Sequence, residues 1–221
     1  MFLTLDKSSA VALEQKGGFI NESGAYNTRI ESAIFHEKDG ENGKSQGIFL
    51  NVITSQKQKA RFYINLSYQG GTENKGGKET INAIMYCAGL QGLQNPVPVM
   101  VKEYDYEAKQ DVEVLKPCFT DLHDKVVGLI IQMVHEDGRE HPNPSIYSAY
   151  NAKTGFTAWE IERQAQEATQ AKKLTETVKN RGVVDKRKNK PSNSTPSAPQ
   201  RQASGSKPVV GDLDDDIPFW Y

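Results

Sequence analysis

Hydrophobic and polar residues alternate along three stretches in the first third of the chain, and polar turns separate these stretches. Alternation with a period of two is typical of antiparallel strands that bury one face. The stretches are Tyr26–Phe35, Ile48–Thr54 and Ala60–Tyr68. The faces that we expect to be buried carry Tyr26, Thr28, Ile30, Ser32 and Ile34 in the first stretch, Ile48, Leu50 and Val52 in the second, and Phe62, Ile64, Leu66 and Tyr68 in the third.

The next part of the chain predicts one helix followed by more strands. In Glu79–Ala88 the apolar residues recur at helical spacing, which predicts a short amphipathic helix. Val99–Tyr106 and Asp111–Phe119 are expected to form a hairpin. The apolar run Val126–His135 is expected to be a buried strand.

After the last predicted strand the composition changes. Ala, Glu, Gln and Lys dominate between residues 157 and 180, so we expect one mostly exposed helix, docked through Trp159. The order of elements predicts a mainly β fold, an OB-like antiparallel barrel with one inserted helix, a C-terminal helix and a disordered tail. Other small barrels with an inserted helix fit the same order. The predicted units are an OB-like domain over residues 1–155, a helix over 156–181, a disordered basic linker over 182–211 and an acidic tip over 212–221.

The formal net charge of −1 hides a strong partition of charge along the 221 residues. Ten basic and two acidic side chains lie between Lys172 and Lys207, whereas the last ten residues hold four aspartates. Residues 186–211 are rich in Pro, Ser, Asn, Gln and Lys and include no aromatic residue. Because such a segment has almost nothing to bury, we expect a disordered tether. Charge asymmetry of this kind is typical of an interaction tail.

The C-terminal sequence DLDDDIPFWY combines carboxylates and apolar anchors in one short segment. We expect it to bind a groove with basic rims and an apolar floor on another protein. Its proline limits the conformational freedom that is lost on docking. The residues of this protein-interaction tip are Asp212, Asp214, Asp215, Asp216, Ile217, Pro218, Phe219, Trp220 and Tyr221.

The six residues DDDIPF of this tip resemble the acidic tip of bacterial single-stranded DNA-binding proteins, which also follows a Pro/Gly/Gln-rich linker after an OB domain. The body more loosely resembles phage-encoded single-stranded DNA-binding proteins, in GGFINESGAY, KETINAIMYCAGL and GFTAWEI. The resemblance implies that the chain binds single-stranded DNA and that its tip recruits replication, recombination or repair proteins. In the bacterial family the final Phe supplies the chain's carboxylate. Here Trp220 and Tyr221 follow Phe219, so either the partner's pocket differs or Tyr221 supplies the carboxylate in a shifted register.

Sequence-tolerant binding of single strands needs aromatic rings for base stacking and cations along the backbone, and each stack is worth ~1–3 kcal/mol. The second and third strands form the usual binding face of an OB barrel, so Phe49, Arg61 and Tyr63 are the first candidates. If the facing is shifted by one residue, Phe62 and Tyr63 exchange roles. The full set of candidate DNA-binding residues is Arg29, Phe35, Phe49, Lys57, Lys59, Arg61, Tyr63, Lys102, Tyr104 and Tyr106.

The chain lacks motifs typical of enzymes. The four histidines have no partners at metal-ligand spacing, and neither GxxxxGK[ST] nor GxGxxG occurs. We therefore expect no catalytic activity, no metal and no cofactor. Three hypotheses remain: a noncatalytic single-stranded DNA-binding protein, a recombination mediator or annealing protein, and a nuclease or other DNA enzyme that uses the tip as an address. The nuclease hypothesis needs a carboxylate cluster that the sequence does not show.

The sequence also bears on where the protein acts. No apolar run approaches the ~18 residues of a membrane span, and the first residues lack the features of a signal peptide. Two cysteines cannot form a disulfide framework. We expect a cytoplasmic protein, in the bacterial host if it is phage-encoded, without a membrane partner. The sequence leaves the oligomeric state open.

Overall fold

The computed structural model describes residues 17–105 and 109–188, in which nine strands form one curled sheet and three helices pack beside it. The nine-stranded sheet forms an open half-barrel, so the mainly β fold predicted from the sequence is confirmed. A short 3-10 turn lies at Thr120–Leu122. The strands are β1 (Gly18–Phe19), β2 (Gly24–Gly40), β3 (Gly43–Thr54), β4 (Gln58–Ser67), β5 (Val97–Asp105), β6 (Gln110–Cys118), β7 (Val126–His135), β8 (Asn143–Tyr150) and β9 (Val184–Asp185), and the helices are α1 (Lys75–Cys87), α2 (Ala158–Glu162) and α3 (Gln170–Arg181).

The long strand β2 joins the two halves of the sheet. β2, β3 and β4 form an antiparallel meander, and β1 adds to β4 in parallel. The other edge of β2 pairs with β7 over Gly24–Arg29 and with β6 at Ile34. β7 in turn pairs with β8 and β9, while β5 and β6 form the predicted hairpin. Among the described strands β4 and β8 are not paired with each other, so the barrel has an open seam there.

The regular alternation of β3 and β4 determines which of their side chains enter the core. The predicted facing of both strands is confirmed as far as Ile64, because the side chains expected to point inward are buried, and Leu66 is partly buried against the same core. Tyr68 is an exception, since it follows the end of β4 and is 52% exposed. The buried side chains of these strands include Ile48, Leu50, Val52, Phe62 and Ile64.

Helix α1 covers part of this core and packs against both β4 and β8. Its buried side chains are Ile81, Ile84 and Cys87, whereas Met85 and Ala88, also expected on the apolar face, are partly buried. The helix begins at Lys75, earlier than predicted. The reason is an N-cap: Asn74 Oδ1 accepts the backbone N–H of Gly77 at 3.3 Å, which satisfies one of the free donors of the first turn.

A β-bulge in β2 changes the facing of its second half. The register with β3 shifts between Ile30 and Ser32, which adds one residue to β2. Ile30 lies in the core, but Ile34 pairs with Phe49 on the outer face, so the predicted common face of Ile30 and Ile34 is wrong. The prediction fails because one extra residue exchanges the two faces of a strand.

The C-terminal part is not one exposed helix, as predicted, but two helices with a buried carboxylate between them. Glu160 is only 2% exposed and accepts hydrogen bonds from the backbone N–H groups of Thr157, Thr169 and Gln170 at 2.7–2.9 Å. Burial alone would raise the pKa of Glu160, but these bonds outweigh it and hold the pKa below its usual value. The carboxylate therefore fixes the start of α3 next to α2.

Helix α3 docks on the sheet through its own apolar side chains. Ala171 and Val178 are buried against Ile130 of β7. Trp159 is 56% exposed and stacks under the guanidinium of Arg163, so the prediction that it docks the helix is wrong.

Both cysteines of the chain, Cys87 and Cys118, are buried and free. Burial raises the pKa of the Cys87 thiol to about 11. Within residues 17–105 and 109–188, no helix has the length and apolar character needed to span a membrane.

Candidate nucleic-acid interface

The outer face of the β2–β3–β4 meander, opposite the core, presents three rows of directly paired side chains. The rows exist because the strands pair in a fixed antiparallel register, and the bulge in β2 sets which of its residues join them. From one end to the other the rows are Ser32–Asn51–Arg61, Ile34–Phe49–Tyr63 and His36–Gly47–Asn65.

Three rings and one guanidinium lie together on this face, and we call His36, Phe49, Arg61 and Tyr63 the ring cluster. The Phe49 ring centroid lies 4.9 Å from that of Tyr63 and 5.0 Å from that of His36. The Arg61 Cζ lies 4.3 Å above the Phe49 ring, within the range of a cation–π contact. Tyr63 is 47% exposed, whereas Phe49 is half-buried. Tyr63 is therefore the ring that offers a free surface, and Phe49 supports it.

A glycine makes room for the Tyr63 ring. A Cβ atom placed on Gly47 would lie 2.6 Å from Tyr63 Cε2 and 2.7 Å from both Cζ and Oη. Real Cβ atoms essentially never come so close, so any other residue here would displace the ring. The ring thus covers the bare backbone of β3 and has a defined position on the outer face.

The β5–β6 hairpin lies over one side of the outer face. Val99 and Val101 pack against the cluster's Phe49 and Ile34. Glu103 pairs with Arg61 at 3.2 Å and with Lys116 at 3.0 Å. Burial works against the charge of Glu103, but the two cations outweigh it and hold the pKa of this carboxyl below its usual value. The hairpin is therefore attached to β4 through Arg61.

Two grooves meet at Arg61. The first, which we call the seam cleft, has a volume of about 660 Å³ and lies between the outer face of β4, the first turn of α1 and residues 134–146 around the β7–β8 connection. The second, which we call the hairpin groove, has a volume of about 420 Å³ and lies between β5 and the outer face of β3 and β4. Tyr63 and Phe49 line the seam cleft, and Arg61 lines both grooves.

The hairpin groove carries charges of both signs. Among its lining residues are three cations (Lys59, Arg61 and Lys102) and three carboxylates (Glu31, Glu103 and Asp111). Two exposed rings, Phe19 and Tyr104, also line it. Because the charges are balanced, phosphate attraction is weaker here than in a uniformly basic groove, and rings have a larger share in any binding of a strand.

Six of the ten predicted DNA-binding residues line these grooves, namely Phe49, Lys59, Arg61, Tyr63, Lys102 and Tyr104. Arg29 instead pairs with Asp124 at 2.6 Å, and Lys57 lies in the turn between β3 and β4.

Phe35 differs from its expected facing, since the bulge turns it to the side of Ile48, where its ring meets Phe119 edge-on at 5.9 Å. His36 takes the place expected for Phe35. Tyr106 and the tip residues 212–221 lie outside the described residues, as does the linker beyond residue 188.

Sequence reasoning missed several residues of the outer face and of the two grooves. His36 joins the cluster only because of the bulge, and Gly47 shows no special pattern in the sequence, whereas the alternation of β4 does predict the outer facing of Asn65. Arg139 reaches the seam cleft from the β7–β8 connection, and Phe19 is 80% exposed at the hairpin groove. The run GGFIN offered a signal for Phe19, because an isolated aromatic residue beside two glycines has little to pack against.

Within the described ranges, no group of three or more His, Cys, Asp or Glu side chains is arranged to hold a metal ion.

No protein-family model matches the chain, and no curated protein matches it.

Proposed function

We propose that this chain is a noncatalytic single-stranded DNA-binding protein that protects and organises single strands during DNA replication, recombination or repair. The observation that carries the proposal is the ring cluster, with one half-exposed tyrosine beside an arginine at the meeting point of two grooves. Aromatic rings next to cations are the elements that bind unpaired bases and their phosphates.

The geometry favours unpaired over paired strands. Tyr63 lies on a sheet face and has one free side, which suits stacking by a base that has left its own stack. In a duplex the bases stack on each other, so their flat faces are not available to such a ring. The balanced charges of the hairpin groove point the same way, because duplex binding without base readout depends on phosphate neutralisation.

The order of elements supports an OB-like barrel. A three-stranded meander (β2–β4) is followed by helix α1 and then by β7 and β8, with β7 returning to pair with β2. In OB folds the second and third strands of the barrel bind oligonucleotides, and here these strands are β3 and β4, which carry Phe49, Arg61 and Tyr63. In this assignment the β5–β6 hairpin is an addition that forms one wall of the binding surface.

The proposed partners are single-stranded DNA and, through the acidic tip at residues 212–221, proteins of replication, recombination or repair. The proposed location is the cytoplasm of a bacterial cell, as host if the chain is phage-encoded. The partners rest on the sequence resemblance and on the charge pattern of the tail, and the location rests on the residues discussed above for a cytoplasmic protein.

The test compares binding of the full chain to oligo(dT) and to a duplex of the same length, for the wild type and for Tyr63→Ala. We expect the wild type to prefer oligo(dT) and Tyr63→Ala to bind it about tenfold more weakly, since a base stack is lost. The matched control is Tyr68→Ala, which removes a similarly exposed tyrosine that lies just past the end of β4 and lines neither groove. Equal binding of oligo(dT) and duplex, or equal losses in the two variants, would contradict the proposal.

A further inference from the structure

The seam cleft contains a side chain whose hydrogen-bonding capacity is not used. Asn65 Oδ1 is buried and has no hydrogen-bond partner among the described residues. A buried acceptor without a donor is unfavourable, and such groups in folded proteins call for an explanation. Asn65 belongs to the same outer-face row as His36 and Gly47 and follows Tyr63 by two residues on β4, so the two side chains are neighbours on one face.

The backbone at Asn65 is closely packed. Helix α1 starts so close to β4 that a Cβ atom on Gly77 would lie 1.7 Å from the backbone oxygen of Asn65. The same glycine donates its N–H to the N-cap residue Asn74. The backbone at Asn65 is therefore fixed against the start of α1, and the Asn65 side chain lines a cleft whose volume of about 660 Å³ lies within the range of small-molecule sites, roughly 300–1,000 Å³.

The other polar groups of the cleft suit a nucleotide. Arg139 lines it, is exposed, and forms no side-chain ion pair within the described ranges. The first turn of α1 holds no acidic residue, and Gly76 there also lines the cleft. Two cations, Arg61 and Arg139, one carboxylate, Glu136, and the start of a helix thus line the same cleft as the Tyr63 ring.

Resting on the proposed function, we propose that the seam cleft is a pocket for one unpaired base of the bound strand. Tyr63 is the wall on which the base stacks, and Asn65 hydrogen-bonds to the edge of the base. Turning the amide toward the cleft exchanges an unpartnered buried oxygen for one that is bonded to the ligand. Arg139 binds the neighbouring phosphate.

The unpartnered Oδ1 of Asn65 favours a base over the rest of the strand. An acceptor oxygen needs a donor, and the phosphates and deoxyribose within a DNA strand carry no N–H or O–H group. Each of the four bases carries at least one N–H on its Watson–Crick edge. The pocket therefore recognises that a base is present, and it makes one position of the strand more important than its neighbours.

The experiment uses the full chain and the shortest oligo(dT) that it binds fully, so that the binding register is fixed. A single abasic site is moved along this oligonucleotide one position at a time. For the wild type we expect the abasic site to lower the affinity about tenfold at one position, and clearly less at the other positions. Asn65→Leu, which keeps the size of the side chain and removes its polar atoms, should weaken binding of the intact oligonucleotide and lose little more when that position is abasic.

This coupling is the decisive readout, because a merely structural role of Asn65 would lower all affinities alike. Asn51→Leu is the matched control, since Asn51 is the other amide of the outer face but already donates to Ser32 Oγ at 2.8 Å. It should show no coupling to the abasic position. Thermal unfolding checks each variant, and Asn65→Ala replaces Asn65→Leu in the cycle if the leucine lowers the unfolding midpoint.

The outcomes separate the two proposals. A wild type that binds oligo(dT) no better than duplex overturns both. A wild type that prefers oligo(dT) but loses equal affinity at every abasic position overturns the base pocket alone. If the affinity losses from Asn65→Leu and from the abasic site are additive, the base pocket alone is likewise overturned.

Discussion

Replacing Gly47 by alanine tests whether the position of the Tyr63 ring, and not only its presence, supports DNA binding. The added Cβ would lie 2.6 Å from Tyr63 Cε2, and ordinary carbon contacts begin near 3.5 Å, so the ring has to move by roughly 1 Å. The movement disturbs the Phe49–Tyr63 pair, a contact worth about 0.5–1.5 kcal/mol. Replacing glycine by alanine in a strand also stabilises the fold by about 0.4–1 kcal/mol, because alanine lowers the conformational entropy of the unfolded chain.

The two stability effects nearly cancel, so we expect the unfolding free energy of Gly47→Ala to stay within about 1 kcal/mol of the wild type. Affinity for oligo(dT), measured by fluorescence anisotropy, should nevertheless fall about tenfold, because the stacking surface has moved. Combined with Tyr63→Ala, the glycine replacement should have no further effect on affinity. Gly92→Ala is the control, since a Cβ there meets nothing within 4 Å. Wild-type affinity in Gly47→Ala, or additive losses in the double variant, would refute this reasoning.

Three further predictions concern charged groups of the described fold. Glu103→Gln removes the carboxylate that competes with phosphate for Arg61, so oligo(dT) affinity should rise about threefold at low salt and the gain should shrink as salt is added; a loss of affinity would contradict this. His123 Nε2 accepts the N–H of Ala33, and burial lowers its pKa. As the pH falls, His123 therefore becomes protonated at a higher pH in the unfolded chain than in the folded chain, and the unfolding free energy should fall below about pH 6.5. The unfolding midpoints at pH 7.5 and 5.5 should differ less in His123→Gln than in the wild type. Glu160→Gln should lower the free energy of unfolding, measured in urea at pH 7, by about 3 kcal/mol. The difference from the wild type should narrow below pH 4.5, because protonation of the carboxylate in the wild type removes the stability that its lowered pKa represents. A difference that does not change with pH would argue against a buried carboxylate.

The strands with regular registers were predictable, and those with irregular ones were not. β3 and β4 pair in one register from Gly47 to Ile53 and from Lys59 to Asn65, so the pattern alone identified the outer positions of Phe49, Arg61 and Tyr63. In β2 the alternation of residue types continues through the bulge, although the backbone does not, and Phe35 was therefore placed on the other face. A period-two pattern contains no information about an extra residue.

Features that depend on distant contacts were also not predictable. β8 reads as NPSIYSAY, with two serines and a proline, and it becomes a strand because β7 offers it a partner. The break between α2 and α3 depends on Glu160, whose bonds reach residues nine and ten positions later. The two grooves exist because the β5–β6 hairpin lies over β4 and because the barrel is open at β8, and neither arrangement follows from local sequence.

The double pairing of β2 has a consequence for how the chain is made. Of its first residues, Thr28 and Arg29 pair on one side with β3, which is close in sequence, whereas all of Gly24–Arg29 pair on the other side with Val126–Ile131. On the ribosome that second edge of β2 stays bare until Ile131 has emerged, since synthesis proceeds from the N-terminus. An unpaired edge invites association with other chains, so the nascent protein passes through its most aggregation-prone stage after the meander is complete and before β7 arrives.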